Sequence, residues 1–317
     1  MVWTRGLACR VVAAMALLPI APGVAGAQST VELPGSVVQL PRHPAIKVES
    51  IDVQLGLDAV RMTYVLRNTA RAAIAFVAAI TLPDLDMPSL SGEEVRLPRP
   101  GDSNFVNLTV AVDGQAIVPA LEQRAMALGL DVTRMLFDNG IPLFPFVAGI
   151  GDRLAGLAAE SRALLLERGV VTSEGGTSTP GWALKSTLHW RMQLPPGATT
   201  MIAASYRPIP STRAFARGDA ERFASTYCAS SALQQALQKR LAGGQAPSQL
   251  ATLALGVPSG AGQMGPAGHL RITIVLPDEL ALASSCWPGF RRSGPLTLEW
   301  TGTDAVLDDD IVVAFIQ

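Results

Sequence analysis

The chain has 317 residues, 49% of them apolar and 16% charged, with 29 glycines, 23 prolines and a net charge of −1. So even a charge balance excludes the concentrated basic surface that a nucleic-acid partner requires. The high apolar content excludes intrinsic disorder and points to a folded protein rich in strands and turns.

Arg5 and Arg10 flank the start of an apolar run from Val11 to Ile20, and Ala25-Gly26-Ala27 supplies small residues at A-x-A positions. This pattern reads as a secretory leader cleaved after Ala27, which predicts a periplasmic protein. The run is short for the roughly 30 Å of a hydrocarbon core, and Pro19 and Pro22 interrupt it, so it does not read as an anchor. No transmembrane segment is expected in the mature chain.

A Pro-rich lead-in from Gln28 to Ala45 opens the mature sequence. Ile51, Val53 and Leu55 then alternate with Asp52 and Gln54, and Val60, Met62, Tyr64 and Leu66 alternate with Arg61, Thr63 and Arg67. Both runs have the period of two of a half-buried strand. From Ala73 to Leu82 both faces are apolar, which predicts a central strand covered on both sides. Phe105 to Val112 reads as a further strand, Asp113-Gly114 as a two-residue turn, and Gln115 to Ala120 as the return.

The spacing changes at Leu121. Glu122 to Leu128 reads as a short helix, Asp131 as the N-cap of another that stops at Gly140, and Asp152 to Arg168 as one more, ended by Gly169. Residues 121–169 are therefore expected to form a small α-helical insertion. Ser173 to Pro180 (SEGGTSTP) reads as a flexible linker. Trp182 to Met192 and Thr200 to Tyr206 read as a hairpin around Pro195-Pro196-Gly197. A helix capped by Ser230 or Ser231 follows Cys228, and strands are expected at Leu270–Leu276, Leu296–Trp300 and Ile311–Ile316. The predicted fold class is mainly β, with two antiparallel β-sandwich-like parts. Residues 28–215 form the first part, with the insertion, and residues 216–317 form the second.

Removing the leader removes Cys9 and leaves Cys228 and Cys286. In an oxidising compartment two such cysteines are more readily paired than free; two separately buried thiols are the alternative. The three histidines are His43, His189 and His269. Any of them could serve as a general base, but none accompanies a G-x-S-x-G elbow, a zincin helix or a Cys–His pairing. Asp84 and Asp86, with Glu93 and Glu94 nearby, offer hard oxygens to a cation, as do Asp308-Asp309-Asp310; neither set follows an EF-hand spacing. The Gly-rich stretch 256–268 lacks the Lys and Ser/Thr of a phosphate loop.

A series of short motifs resembles an uncharacterised exported bacterial family, domain of unknown function 4424. They run in order from Tyr64-Val65-Leu66-Arg67-Asn68 through Leu82-Pro83-Asp84, Ser103-Asn104-Phe105, Val112-Asp113-Gly114, Glu122-Gln123-Arg124-Ala125 and Asp131-Val132-Thr133. Leu188-His189-Trp190, Tyr206-Arg207-Pro208, Tyr227-Cys228 and Ser285-Cys286-Trp287 continue the series. The resemblance spans nearly the whole mature chain. It implies export, supports pairing Cys228 with Cys286, and implies no activity. Polar positions of the family pattern read here as Ala204-Ser205, Ala229-Ser230 and Leu276-Pro277.

The expected function is a non-catalytic periplasmic module that binds a protein or small-molecule ligand of the cell envelope, through loops at the sandwich ends or a cleft between the two parts. No cofactor, metal or catalytic residue is assigned. The alternative is an envelope hydrolase using His189 or the Asp84/Asp86 pair.

Overall fold

The computed structural model describes residues 30–243, 249–258 and 265–317. The leader and residues 259–264 of the Gly-rich stretch lie outside the described residues. The chain is mainly β, as predicted, and sandwich-like. Its principal strands are β1 (Ile46–Leu55), β2 (Val60–Asn68), β3 (Ile74–Thr81), β4 (Thr109–Val112), β5 (Ala120–Ala127), β6 (Ala183–Leu194), β7 (Thr199–Tyr206), β8 (Gln249–Gly256), β9 (Ala267–Val275), β10 (Thr297–Ala305) and β11 (Ile311–Ile316).

An eight-stranded sheet runs Arg291–Gly294, β10, β9, β1, β2, β7, β4, Gln115–Ile117. A five-stranded sheet joins β3, β6 and β5 with the short pieces Leu85–Asp86 and Leu130–Asp131. Another joins β8 and β11 with Gly35–Ser36, Leu282–Ser284 and Ser211–Ala214. Side chains of all three enter one buried cluster, in which Tyr64 and Ile272 of the large sheet meet Ile80, Leu188, Leu253 and Phe315. Full burial of each such apolar side chain contributes about 1.5–3 kcal/mol before entropy is subtracted.

The alternation read in the sequence places β1 and β2 correctly. Val53, Leu55, Val60, Met62, Tyr64 and Leu66 are buried while Arg61 and Arg67 are exposed, and the turn closes through Gly56 N–H donating to Ala59 O at 3.1 Å. The Asp113-Gly114 turn also forms, with both residues at positive φ and Val112 opposite Gln115.

Two strand expectations need correction. The apolar strand β3 is not central: it lies at the edge of its sheet beside β6, and Val77 is 50% exposed. Small apolar residues at 75, 77 and 79 tolerate a wet face, so two apolar faces did not mean two covered ones. Nor do β6 and β7 form a hairpin. β6 pairs with β3 and β5, whereas β7 pairs with β2 and β4, so the Pro195–Gly197 turn carries the chain from one sheet to another.

The chain also changes sheet between β2 and β3, and one side chain holds both corners. Asn68 is fully buried. Its Nδ2 donates to Ala72 O (2.8 Å), Leu194 O (3.0 Å) and Pro195 O (3.1 Å), and its Oδ1 accepts from Ala70 N–H (2.8 Å). A carboxamide suits this place because it alone offers donors and an acceptor without a charge.

The lead-in is a seam between sheets. Thr30 bridges to Thr212, Leu33 to Ile209, Gly35–Ser36 lie parallel to Leu255–Gly256, and Gln39 bridges to Ala79. Val37, Val38 and Leu40 are buried along it. Gly35 passes so close to Tyr206 that a Cβ there would lie 2.0 Å from the phenol oxygen.

Residues 121–169 are only partly helical. Residues 120–127 form strand β5, paired with β6 over seven positions, in place of the predicted helix. Ala125 and Ala127 are buried and alternate with exposed Arg124 and half-buried Met126, and sheet pairing overrides their helical propensity. Three short helices follow: α1 (Thr133–Asp138), α2 (Ile150–Ala155) and α3 (Ala159–Glu167). Asp131 does not sit at the N-cap, which is Val132; its Oδ1 accepts from Thr133 N–H at 3.0 Å. The single helix expected over 152–168 is broken in two around Gly156. The SEGGTSTP linker is a hairpin, Val171–Glu174 with Thr177–Pro180.

In the last third, α4 (Ala220–Thr226) precedes α5 (Ser231–Ala242), whose cap is Ser230, with Oγ accepting from Leu233 N–H at 3.2 Å. Cys228 and Cys286 are joined in a disulfide with Cα atoms 4.9 Å apart. The 58-residue separation corresponds to about 4 kcal/mol in the loop-entropy account. The ladders cross the expected 215/216 boundary: β9 lies parallel to β1, with Arg271 opposite Asp52.

Candidate ligand-binding cleft

The end of the lead-in forms a rigid loop. His43 Nδ1 accepts Ala45 N–H (3.1 Å) and His43 O accepts Ile46 N–H (3.0 Å). Thr69, just past the Asn68 corner, donates to Ala45 O from both its N–H (2.8 Å) and its hydroxyl (3.0 Å). Pro41 and Pro44 restrict the loop further. Because Ala45 N–H occupies Nδ1, the neutral imidazole carries its proton on Nε2 and presents it outward.

This loop walls a cleft of about 700 Å³. Its floor is apolar: Leu40, Val48 and Leu66 are buried, and Ile46 and Phe76 are partly buried. Its rim carries Arg42, His43 and Lys47, all exposed. The far wall comes from the other end of the chain, Gly265, Pro266, Gly268 and Asp304. Gly268 is needed there, since a Cβ would lie 2.9 Å from Glu49 O.

Two cations and one carboxylate thus line the same cleft. Among the described residues neither Arg42 nor Lys47 is in an ion pair, although nearby Arg67 is taken by Glu49 at 3.5 Å. The arrangement supplies donors and positive potential above an apolar floor. It suits an anion with an apolar body. Sequence reasoning finds His43 only as a base and misses Arg42 and Lys47, whose signal is three basic side chains within six positions around Pro44.

The other sequence candidates are dispersed. Asp84 is held by Lys185 Nζ at 2.5 Å, and Asp86 accepts from Ser89 Oγ at 2.6 Å. His189 lies on β6 with Ala79 and Ala120 on either side, four residues from Lys185, or about 13 Å along an extended strand. His189 and the Asp84/Asp86 pair therefore lie apart on the fold. Glu94 pairs with Arg96, and Asp310 Oδ1 accepts from Val257 N–H at 2.7 Å. Among the described residues, no group of three or more His, Cys, Asp or Glu side chains is placed to hold a metal ion.

Two tryptophans serve the core. Trp182 and Trp190 are buried, with Trp182 Nε1 donating to Leu143 O at 2.8 Å. Trp287 and Trp300 meet edge to face at 5.4 Å beside the disulfide. Among the described residues no helix is long and apolar enough to cross a membrane.

A family model described as "Domain of unknown function (DUF4424)" matches residues 26–313. No curated protein matches the chain. Among solved structures, a candidate nutrient binding protein from Legionella pneumophila is 12% identical over 91% of this chain and 72% of its own, with a TM-score of 0.44. An M1 zinc metallopeptidase from Deinococcus radiodurans, bound to a Tyr-Ser-Ala substrate, is 12% identical over 86% of this chain and 43% of its own, with a TM-score of 0.25. A two-domain M1 zinc metallopeptidase bound to L-arginine gives a TM-score of 0.24 at the same identity and coverage. The chain spans less than half the length of these peptidases, and none of the three likenesses is close enough to carry an argument.

Proposed function

The chain belongs to the DUF4424 family, and we propose that it is a non-catalytic periplasmic binding module whose 700 Å³ cleft takes a small carboxylate with an apolar body. The observation that carries this reading is Arg42 and Lys47, neither in an ion pair among the described residues, beside an apolar floor of Leu40, Leu66 and Phe76. A leader ending at Ala27 and a disulfide that persists in oxidising compartments support the location.

Recognition would work by division of labour. The apolar body displaces water from the floor, while the carboxylate meets Arg42, Lys47 and the His43 Nε2–H at the rim. A rigid loop needs little ordering on binding, which favours affinity. Calorimetry with hexanoate, phenylacetate and benzylamine tests the reading. The two carboxylates are expected to bind saturably and the amine not. Arg42→Glu/Lys47→Glu should weaken carboxylate binding at least tenfold, since a hydrogen bond to a charged group contributes about 1.5–3 kcal/mol. Equal binding of acid and amine, or an unaffected double variant, would overturn it.

A further inference from the structure

The Arg42/Lys47 cleft also holds one carboxylate, and from it we infer the class of its ligand: a zwitterion whose carboxylate and ammonium are held apart by an apolar spacer, as in an ω-amino acid. The inference rests on the reading of this cleft as a carboxylate site and adds a second point of recognition to it.

Asp304 lines the cleft and is exposed. Among the described residues it is in no ion pair, so it does not neutralise Arg42 or Lys47. Glu49, two residues beyond Lys47, is taken by Arg67 at 3.5 Å. Asp304 is therefore the uncommitted acid of the cleft.

The ladders fix where that acid stands. β10 pairs with β9 and β9 with β1, so two strand spacings, about 10 Å, separate Asp304 from the strand that carries Lys47. Ala267 lies opposite Ala305 and His269 opposite Thr303, which sets Asp304 across from Gly268. Gly268 in turn abuts the carbonyls of Glu49 and Val48, next to Lys47. Neither Gly268 nor Pro266 brings a polar side chain to the wall between the two charges.

A ligand that satisfies all of these groups carries both charges. Arg42 and Lys47 draw its carboxylate, Asp304 draws its ammonium, and the floor of Leu40, Leu66 and Phe76 takes the methylenes between them. A simple carboxylate leaves Asp304 unmet. An amine without a carboxylate meets two cations for one acid and is disfavoured. An α-amino acid has its charges on neighbouring carbons and does not span the interval.

Calorimetry on the full chain at neutral pH compares hexanoate, ε-aminohexanoate and norleucine. The last two are isomers that differ only in where the ammonium sits. ε-Aminohexanoate should bind about fivefold more tightly than hexanoate, the upper worth of an exposed ion pair, and norleucine should gain nothing. Asp304→Asn removes the charge and keeps a residue type that tolerates the left-handed backbone of this position, φ 48°. It should erase the preference for ε-aminohexanoate while saturable hexanoate binding shows that the cleft is intact. Absence of saturable hexanoate binding to the wild-type chain would remove the carboxylate reading and this inference with it. Hexanoate binding without a preference for ε-aminohexanoate, an equal gain for norleucine, or a preference that survives in Asp304→Asn would overturn this inference alone.

Discussion

Gly35→Ala is the sharpest probe of how the lead-in is seated. A Cβ at Gly35 would lie 2.0 Å from Tyr206 Oη, 2.6 Å from Cζ and 2.8 Å from Cε2, all atoms of one rigid ring. Neither side can yield easily. Gly35 is held in a ladder with Leu255, and buried Tyr206 in a ladder with Val60. Overpacking of this kind costs about 1–3 kcal/mol, and an overlap of this depth belongs at the upper end, about 3 kcal/mol. Among the described residues the buried Tyr206 hydroxyl has no hydrogen-bond partner, and burial pushes its pKa up. Tyr206→Phe removes both the unsatisfied group and the nearest clashing atom. It should stabilise the protein by about 1 kcal/mol alone, and the double variant should lose less than the sum of the singles by about 1 kcal/mol. Urea unfolding of the four proteins at 25 °C, followed by tryptophan fluorescence, measures each difference. A Gly35→Ala protein within about 0.5 kcal/mol of wild type would refute the close approach, since that is the ordinary scatter of neutral substitutions. A Tyr206→Phe protein that is clearly destabilised would show that the hydroxyl has a partner.

Asn68→Ala should cost about 3 kcal/mol by urea titration, because it strips hydrogen bonds from Ala72 O, Leu194 O, Pro195 O and Ala70 N–H at once; a loss below 1 kcal/mol, the net worth of a single bond, would mean the corners hold themselves. Glu32 supplies a pH test. Among the described residues its buried Oε2 has no partner, and burial raises its carboxyl pKa, with the Thr252 hydroxyl pulling the other way. The folded state therefore holds the proton more tightly than the unfolded one, so this group weakens the fold as pH rises from the ordinary value of 4.5 through the raised folded value. Glu32→Gln should match the wild type at pH 4 and unfold at higher denaturant at pH 7, and an unchanged pH 7 midpoint would contradict the burial.

What the sequence made legible was local. The alternation from Val53 to Leu66, the Asp113-Gly114 turn and the Ser230 cap depend on neighbours a few residues away, and all three appear. What it concealed was set by distant partners. Residues 120–127 look helical in isolation and are a strand because β6 lies beside them. β6 and β7 look like a hairpin because the turn between them is short, yet each joins a different sheet. The candidate cleft was hidden for the same reason. Its cations sit in the lead-in, and its far wall arrives more than two hundred residues later, between Gly265 and Asp304. No periodicity in either stretch announces the other.

The parallel pairing of β1 with β9 bears on how fast this chain reaches its native state. Arg271 Nε donates to Asp52 Oδ2 at 2.7 Å across a sequence separation of 219 residues. Closing a loop of that length costs about 2 kcal/mol more in chain entropy than closing one of about 15 residues. The cost falls early, before most of the contacts that reward it exist, which places the chain among slow folders dominated by non-local pairing. Until β9 is delivered the edge of β1 stays open, and until β8 is delivered the lead-in has no Leu255 to lie against. A nascent chain is thus held short of its final structure until residues 267–275 are made, four fifths of the way along the sequence.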